Sequence, residues 1–130
     1  MAFNSSLITS VLEECDIDYE VDDDYVSFSC YNKNFIAFID SAGVIENCLA
    51  ICLTSIFEVS PFEKKKYLKL VNKFNEEVPI VKYMLDEGSN CIDIDAEISL
   101  NSEPDLYEVI PELVKILNAA YGYFFDNINN

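Results

Sequence analysis

Cys91-Ile92-Asp93-Ile94-Asp95-Ala96-Glu97-Ile98-Ser99-Leu100 is the stretch that decides the fold. Ile92, Ile94, Ala96, Ile98 and Leu100 alternate with Asp93, Asp95, Glu97 and Ser99, the period-two spacing of a strand with one dry and one wet face. A strand wetted on one side belongs to an antiparallel sheet. Its partner arm is residues 79–86, and Glu87-Gly88-Ser89 makes the hairpin turn between them. Further upstream the same period recurs in Ile17, Tyr19 and Val21, which alternate with acidic residues as far as the turn Asp22-Asp23-Asp24. Tyr25 to Tyr31 and Phe35 to Ile39 are two more strand-like runs. Asn32-Lys33-Asn34 suits the turn between them, because asparagine tolerates positive φ. The apolar segment from Val44 to Val59 follows Ser41-Ala42-Gly43; its β-branched residues favour a central strand, with a helix over Asn47 to Ile56 as the alternative.

Three segments carry helical spacing instead. Over residues 4–15, Leu7, Ile8, Val11, Leu12 and Cys15 share one face, with Asn4 or Ser5 as the cap. Ser60-Pro61-Phe62-Glu63 joins a capping serine, a proline at the first helical position and a glutamate three residues on, so it opens a helix running to about Asn75. Asn75 itself suits a left-handed end to that helix. Ser102-Glu103-Pro104-Asp105 opens the last helix, which continues to about Asn127 and is expected to kink, or to begin its regular part, at Pro111. The expected fold is α+β: an antiparallel sheet with helices packed on it, in the order α-β-β-β-α-β-β-α, as one domain over residues 1–130.

The charge inventory removes whole classes of function. Twenty-four acidic residues stand against eight lysines, with no arginine, histidine or tryptophan, for a net charge of -16 in 130 residues. Such a field disfavours nucleic acid and anionic membrane surfaces. Without histidine, the commonest general base and metal ligand are missing. Hydrophobic residues nevertheless make up 51% of the chain, too many for disorder. The N-terminal residues have neither the basic region nor the apolar run of a signal peptide. Cys15, Cys30, Cys48, Cys52 and Cys91 are an odd set in apolar surroundings, as expected of buried free thiols in a reducing cytoplasm.

No motif points to a cofactor, a metal or a catalytic group. A calcium loop starting at Asp16 would need glycine and glutamate where Val21 and Ser27 stand, and one starting at Asp86 meets Cys91 at its glycine position. Cys48 and Cys52 are two thiols where a zinc site wants four ligands. Two surfaces remain as candidates for protein binding. Lys65, Lys66, Lys69 and Lys73 fall on one face of the second helix, opposite Tyr67, Leu70, Val71 and Phe74; the stripe is either a solvated face or a contact for an acidic surface such as the outward row Asp93, Asp95 and Glu97. On the last helix Leu106, Ile110, Leu113, Leu117 and Phe124 form the inward face. Tyr107, Val114, Tyr121 and Phe125 widen it on one side, and Ile116 and Tyr123 on the other, beyond what packing on a sheet needs.

The element order, with Leu70-Val71-Asn72-Lys73-Phe74-Asn75 closing a helix before a strand hairpin, resembles the YbjN-like family. Asn72 and Asn75 match that family's paired asparagines, and Lys82 to Leu85 matches the start of the following strand. Asp22-Asp23-Asp24 and Pro111 do not match its pattern. The resemblance implies a fold like that of type III secretion chaperones, small acidic homodimers that hold an extended client segment, and it carries no catalytic residues. The expectation is a cytoplasmic, non-enzymatic protein-binding or regulatory domain, adaptor-like or chaperone-like. It would hold a peptide or protein segment at a sheet edge and on the aromatic flank of the last helix. The alternative is a regulatory domain sensing a small ligand in a pocket between the sheet and the last helix.

Overall fold

The computed structural model describes residues 5–40 and 47–129. The described chain builds α1 (Ser6–Glu14), β1 (Tyr19–Val21), β2 (Val26–Cys30), β3 (Lys33–Asp40) and β4 (Cys48–Glu58), then a short 3-10 turn over Pro61–Glu63. After it come α2 (Lys64–Glu77), β5 (Val81–Asp86), β6 (Cys91–Ser99), a second 3-10 turn over Leu100–Ser102, and α3 (Leu106–Asn127). The six strands form one antiparallel sheet in the order β1-β2-β3-β4-β6-β5. The class is α+β, as expected, but four strands precede α2 rather than three. The fourth is β4: the apolar segment favoured as a central strand is one, lying between β3 and β6. Ser41-Ala42-Gly43, Asn4 and the start of the Val44 segment lie outside the described residues.

Register puts the large apolar groups of the core on one face. Phe28 pairs with Phe35, Ala37 with Ile51, Ile51 with Ala96, Leu53 with Ile94, and Ile94 with Tyr83. All of these are buried, in one cluster with Ile8 and Leu12 of α1, Phe74 of α2, and Leu117 and Phe124 of α3. The helices therefore cover one side of the sheet, with α1 against α3 and α2 against β5. Between Leu53 and Phe57, β4 takes four residue steps while β6 takes two, from Ile94 to Ile92. Two extra residues leave the alternation of faces unchanged, so Phe57 returns to the helix side. Ser55, at φ 53°, tops this bulge, and its N–H donates to Asp93 Oδ1 at 2.6 Å.

Several boundaries moved, for local reasons. Tyr31 and Asn32, at φ 54° and 59°, make the two-residue turn between β2 and β3, leaving Lys33 and Asn34 free to pair with Cys30 and Ser29. Two successive positive φ angles are what this tightest hairpin needs. Helix α2 runs past Asn75 to Glu77, so Asn75 is an interior helical residue. Ser60 and Ser5 occupy the cap positions of the Pro61–Glu63 turn and of α1 without a side-chain bond. Asp105 is a true cap for α3, accepting from the N–H of Tyr107 at 3.1 Å. The helix α3 continues through Pro111, whose missing N–H falls on an exposed position. The arm expected over 79–86 starts only at Val81. Pro79 to Val81 instead forms a γ-turn, with Val81 N–H donating to Pro79 O at 2.9 Å and Ile80 at φ 77°. That φ is rare and strained for a β-branched residue.

Candidate functional surfaces

Lys65, Lys66, Lys69 and Lys73 are all exposed along α2, while Tyr67, Val71 and Phe74 on the opposite side are buried and Leu70 is half-buried. Lys66 reaches Glu63 at 3.6 Å and lies 5.4 Å over the ring of Tyr67, and Lys64 reaches Glu87 at 3.5 Å. No carboxylate among the described residues pairs with Lys65, Lys69 or Lys73. Sequence reasoning missed the residue that changes the character of this ridge. Phe62, read only as part of a helix start, is 98% exposed. Helical phase carried the signal: at about 100° per residue, Phe62 falls among the lysines and far from Tyr67, Val71 and Phe74. Leu68, 38% exposed, adds a second apolar group. The ridge is thus basic and apolar on a chain of net charge -16.

The α3 flank divides. Tyr107 is exposed, but Val114 is buried at 3%. Val114 belongs to the core, where α1 packs across this part of α3. Tyr121 and Phe125 are half-buried, their rings 4.7 Å apart, and Phe125 lies edge-on to Phe57 at 6.1 Å. Lys33 crosses Tyr121 with its ammonium 4.5 Å from the ring centre and donates to Asn118 Oδ1 at 2.8 Å. Much of this flank is already used internally. Between the sheet and α3, Phe57, Phe74 and Tyr83 pack around Phe124 at centroid distances of 5.7, 5.8 and 6.3 Å. These rings fill the space between the sheet and the C-terminal half of α3.

The β5 sheet edge is also occupied. Asn75 Oδ1 accepts from the N–H of Tyr83 at 2.7 Å and its Nδ2 donates to the Tyr83 carbonyl at 3.0 Å. The side-chain amide imitates a neighbouring strand, and the γ-turn takes up the N–H of Val81. An incoming strand finds these groups of β5 already satisfied. This clamp is a physical reason for one of the two asparagines that carry the family resemblance. The β1 edge is three residues long.

On the sheet face away from the helices, Ser27, Ile36, Cys52, Asp95 and Lys82 form one rung across five strands. Burial, then the neighbouring Glu97, pushes the Asp95 carboxyl up to about 6, against the pull of Lys82. Burial, then the charge of Asp95, pushes the Cys52 thiol up to about 12. A thiol held protonated at neutral pH is a poor nucleophile. Burial raises the Tyr83 phenol, whose O–H donates to the carbonyl of Ala120 at 2.7 Å. No disulfide joins the five cysteines; Cys15 is exposed and Cys48 buried, so the set is not uniformly buried. Among the described residues no polar or charged side chain is buried, no group of three metal-ligating side chains gathers, and no helix is long and apolar enough to cross a membrane.

These features define a small α+β domain with helices on one side of its sheet and its concentrated chemistry on the surface. The chain belongs to the YbjN family, described as "Putative bacterial sensory transduction regulator", whose profile matches residues 4–108. Two solved structures share the fold. YbjN from E. coli, described as "a putative transcription regulator", superposes with a TM-score of 0.70 at 15% identity, over 95% of this chain and 92% of that one. An uncharacterized protein from Methanothermobacter thermautotrophicus superposes with a TM-score of 0.67 at 12% identity, over 96% of each chain. No curated protein matches the chain.

Proposed function

We propose that this protein is a regulatory domain that works by holding a segment of a partner protein, as an adaptor or chaperone does, without turnover of a substrate. The α2 ridge is the contact. The observation that carries this reading is Phe62, 98% exposed, on the same ridge as Lys65, Lys69 and Lys73, which have no partner carboxylates among the described residues. A phenyl ring in water is an anchor awaiting a pocket, and aromatic anchors dominate binding energy when a partner desolvates them. The lysines select the partner's charge: an acidic surface around an apolar pocket, approached faster at low salt. The family's description as a regulator agrees with a binding role. The same reading puts the domain in the cytoplasm, where free thiols stay reduced.

The test is retention of partners from the organism's own lysate, at low and moderate salt. It compares the tagged protein with Phe62→Ser and with the triple variant Lys65→Glu, Lys69→Glu, Lys73→Glu. Circular dichroism checks that each variant folds. The expected result is one partner recovered near stoichiometry, lost from both variants and lost as salt rises. Unchanged recovery by both variants, or no partner for the wild type, overturns the reading.

A further inference from the structure

We propose that a cleft between α1 and the start of α3 is a second binding site, one that takes an apolar side chain from a basic peptide segment. The cleft has a volume of about 120 Å³. Val11 and Leu12 wall it from α1, and Ile110 and Val114 from α3, all four buried. Cys15, Ile17, Cys30, Tyr31 and Pro111 complete its lining, which includes no charged residue. An apolar cavity of roughly 150 Å³ accepts a benzene molecule, so this one suits a single leucine or methionine side chain. Tyr31 and Tyr107 are 50% and 54% exposed. Tyr31 stands at the mouth, and Tyr107 lies one helical turn before Pro111, another lining residue. Rigid rings of this kind give contact area at low entropy cost.

Charge identifies the rest of the segment. Ile17 is shared between the cleft and a neighbouring hollow lined by Glu13, Asp16 and Asp18. No basic residue lines either space, and neither Asp16 nor Asp18 pairs with a cation among the described residues. A chain that leaves an apolar anchor in the cleft and crosses Ile17 runs directly onto carboxylates. Lysine or arginine next to the anchor completes the match, while an acidic segment is repelled. A second copy of this chain could offer its own basic, apolar stretch at Phe62, but two molecules at -16 repel each other. The site stands apart from the α2 ridge, which contributes nothing to its lining.

Thiol footprinting tests this without any assumed activity. The full protein is treated with N-ethylmaleimide in the presence of the capped peptide Lys-Lys-Leu-Lys-Lys, and labelling is read by mass spectrometry at Cys15, Cys30 and Cys91. Cys91 lies on β6, outside the cleft, and serves as the internal control. At a peptide concentration about twice Kd, labelling of Cys15 and Cys30 slows about threefold while Cys91 is unchanged. The peptides Lys-Lys-Ser-Lys-Lys and Glu-Glu-Leu-Glu-Glu give no protection. Asp16→Asn with Asp18→Lys keeps the apolar walls and weakens Lys-Lys-Leu-Lys-Lys about tenfold in fluorescence anisotropy, the worth of two exposed ion pairs. Equal protection by the serine peptide, or none by the leucine peptide, overturns the proposal. So does protection of Cys15 that grows with protein concentration alone and disappears in Phe62→Ser, since the occupant is then a second copy.

Discussion

Replacing Asn75 by alanine removes two hydrogen bonds at once and opens the β5 edge. Its amide holds the N–H and the carbonyl of Tyr83 at 2.7 and 3.0 Å. A hydrogen bond contributes about 0.5–1.5 kcal/mol net, and more when the abandoned group stays dry. Both bonds are part-buried, so the pair is worth about 2 kcal/mol. With an unfolding entropy of about 2.1 cal/mol/K per residue, that loss lowers Tm by about 7 °C in a chain of 130 residues. Urea titration separates the effect from a change of compactness: the midpoint falls while the slope stays constant. Asn75→Asp keeps the acceptor for the Tyr83 N–H but turns an oxygen toward the carbonyl, so its loss is similar or somewhat smaller. The unclamped edge also pairs with other molecules, and concentrated Asn75→Ala aggregates faster than wild type. If Asn75→Ala unfolds at the wild-type urea midpoint and aggregates no faster, the clamp holds nothing and this reasoning is refuted.

Three further outcomes follow from particular residues. Ile80→Gly relieves a left-handed φ of 77° at a residue 64% exposed, and raises stability by about 1 kcal/mol in the same titration. Asp95 has its folded-state carboxyl raised to about 6, so the proton is held more tightly in the native state; its contribution is full below the ordinary carboxylate value and is lost as pH rises through 6. Asp95→Asn therefore flattens the stability profile between about pH 4 and 6 and stabilises at neutral pH by less than ~1 kcal/mol, since solvent reaches the group. Cys52, raised from its ordinary value of 9.0 to about 12, gives stability that is complete below pH 9 and lost above it; Cys52→Ala removes that component of alkaline unfolding, leaving the part due to Tyr83.

The period of two in Ile92 to Ile98 was enough to identify a strand with one wet face, because alternation depends only on neighbours along the chain. The lysine arc of α2 was legible on the same ground: helical phase separates it from Tyr67, Val71 and Phe74 without any knowledge of what they pack on. Val114 shows where this stops. Its phase on α3 matches that of Tyr107, but one is buried at 3% and the other is 54% exposed, because α1 reaches across only one of them. Phe62 is readable in phase, but the proline and glutamate beside it read as capping chemistry, which says nothing about exposure.

What the sequence by itself determined is therefore what short-range periodicity and charge encode: the α+β class, the three helices, the wet and dry faces of β6, and the placing of five of the eight lysines on α2. The tertiary structure decided the rest. It inserted β4 between β3 and β6, whose partners lie far apart in the chain. It turned Asn75 from an expected helix end into the clamp on Tyr83, and it brought α1 onto α3 to bury Val114 and form the cleft. Each of these depends on which surfaces meet across the sheet, and contact between distant segments is set by packing the whole core at once, not by the spacing of residues along one element.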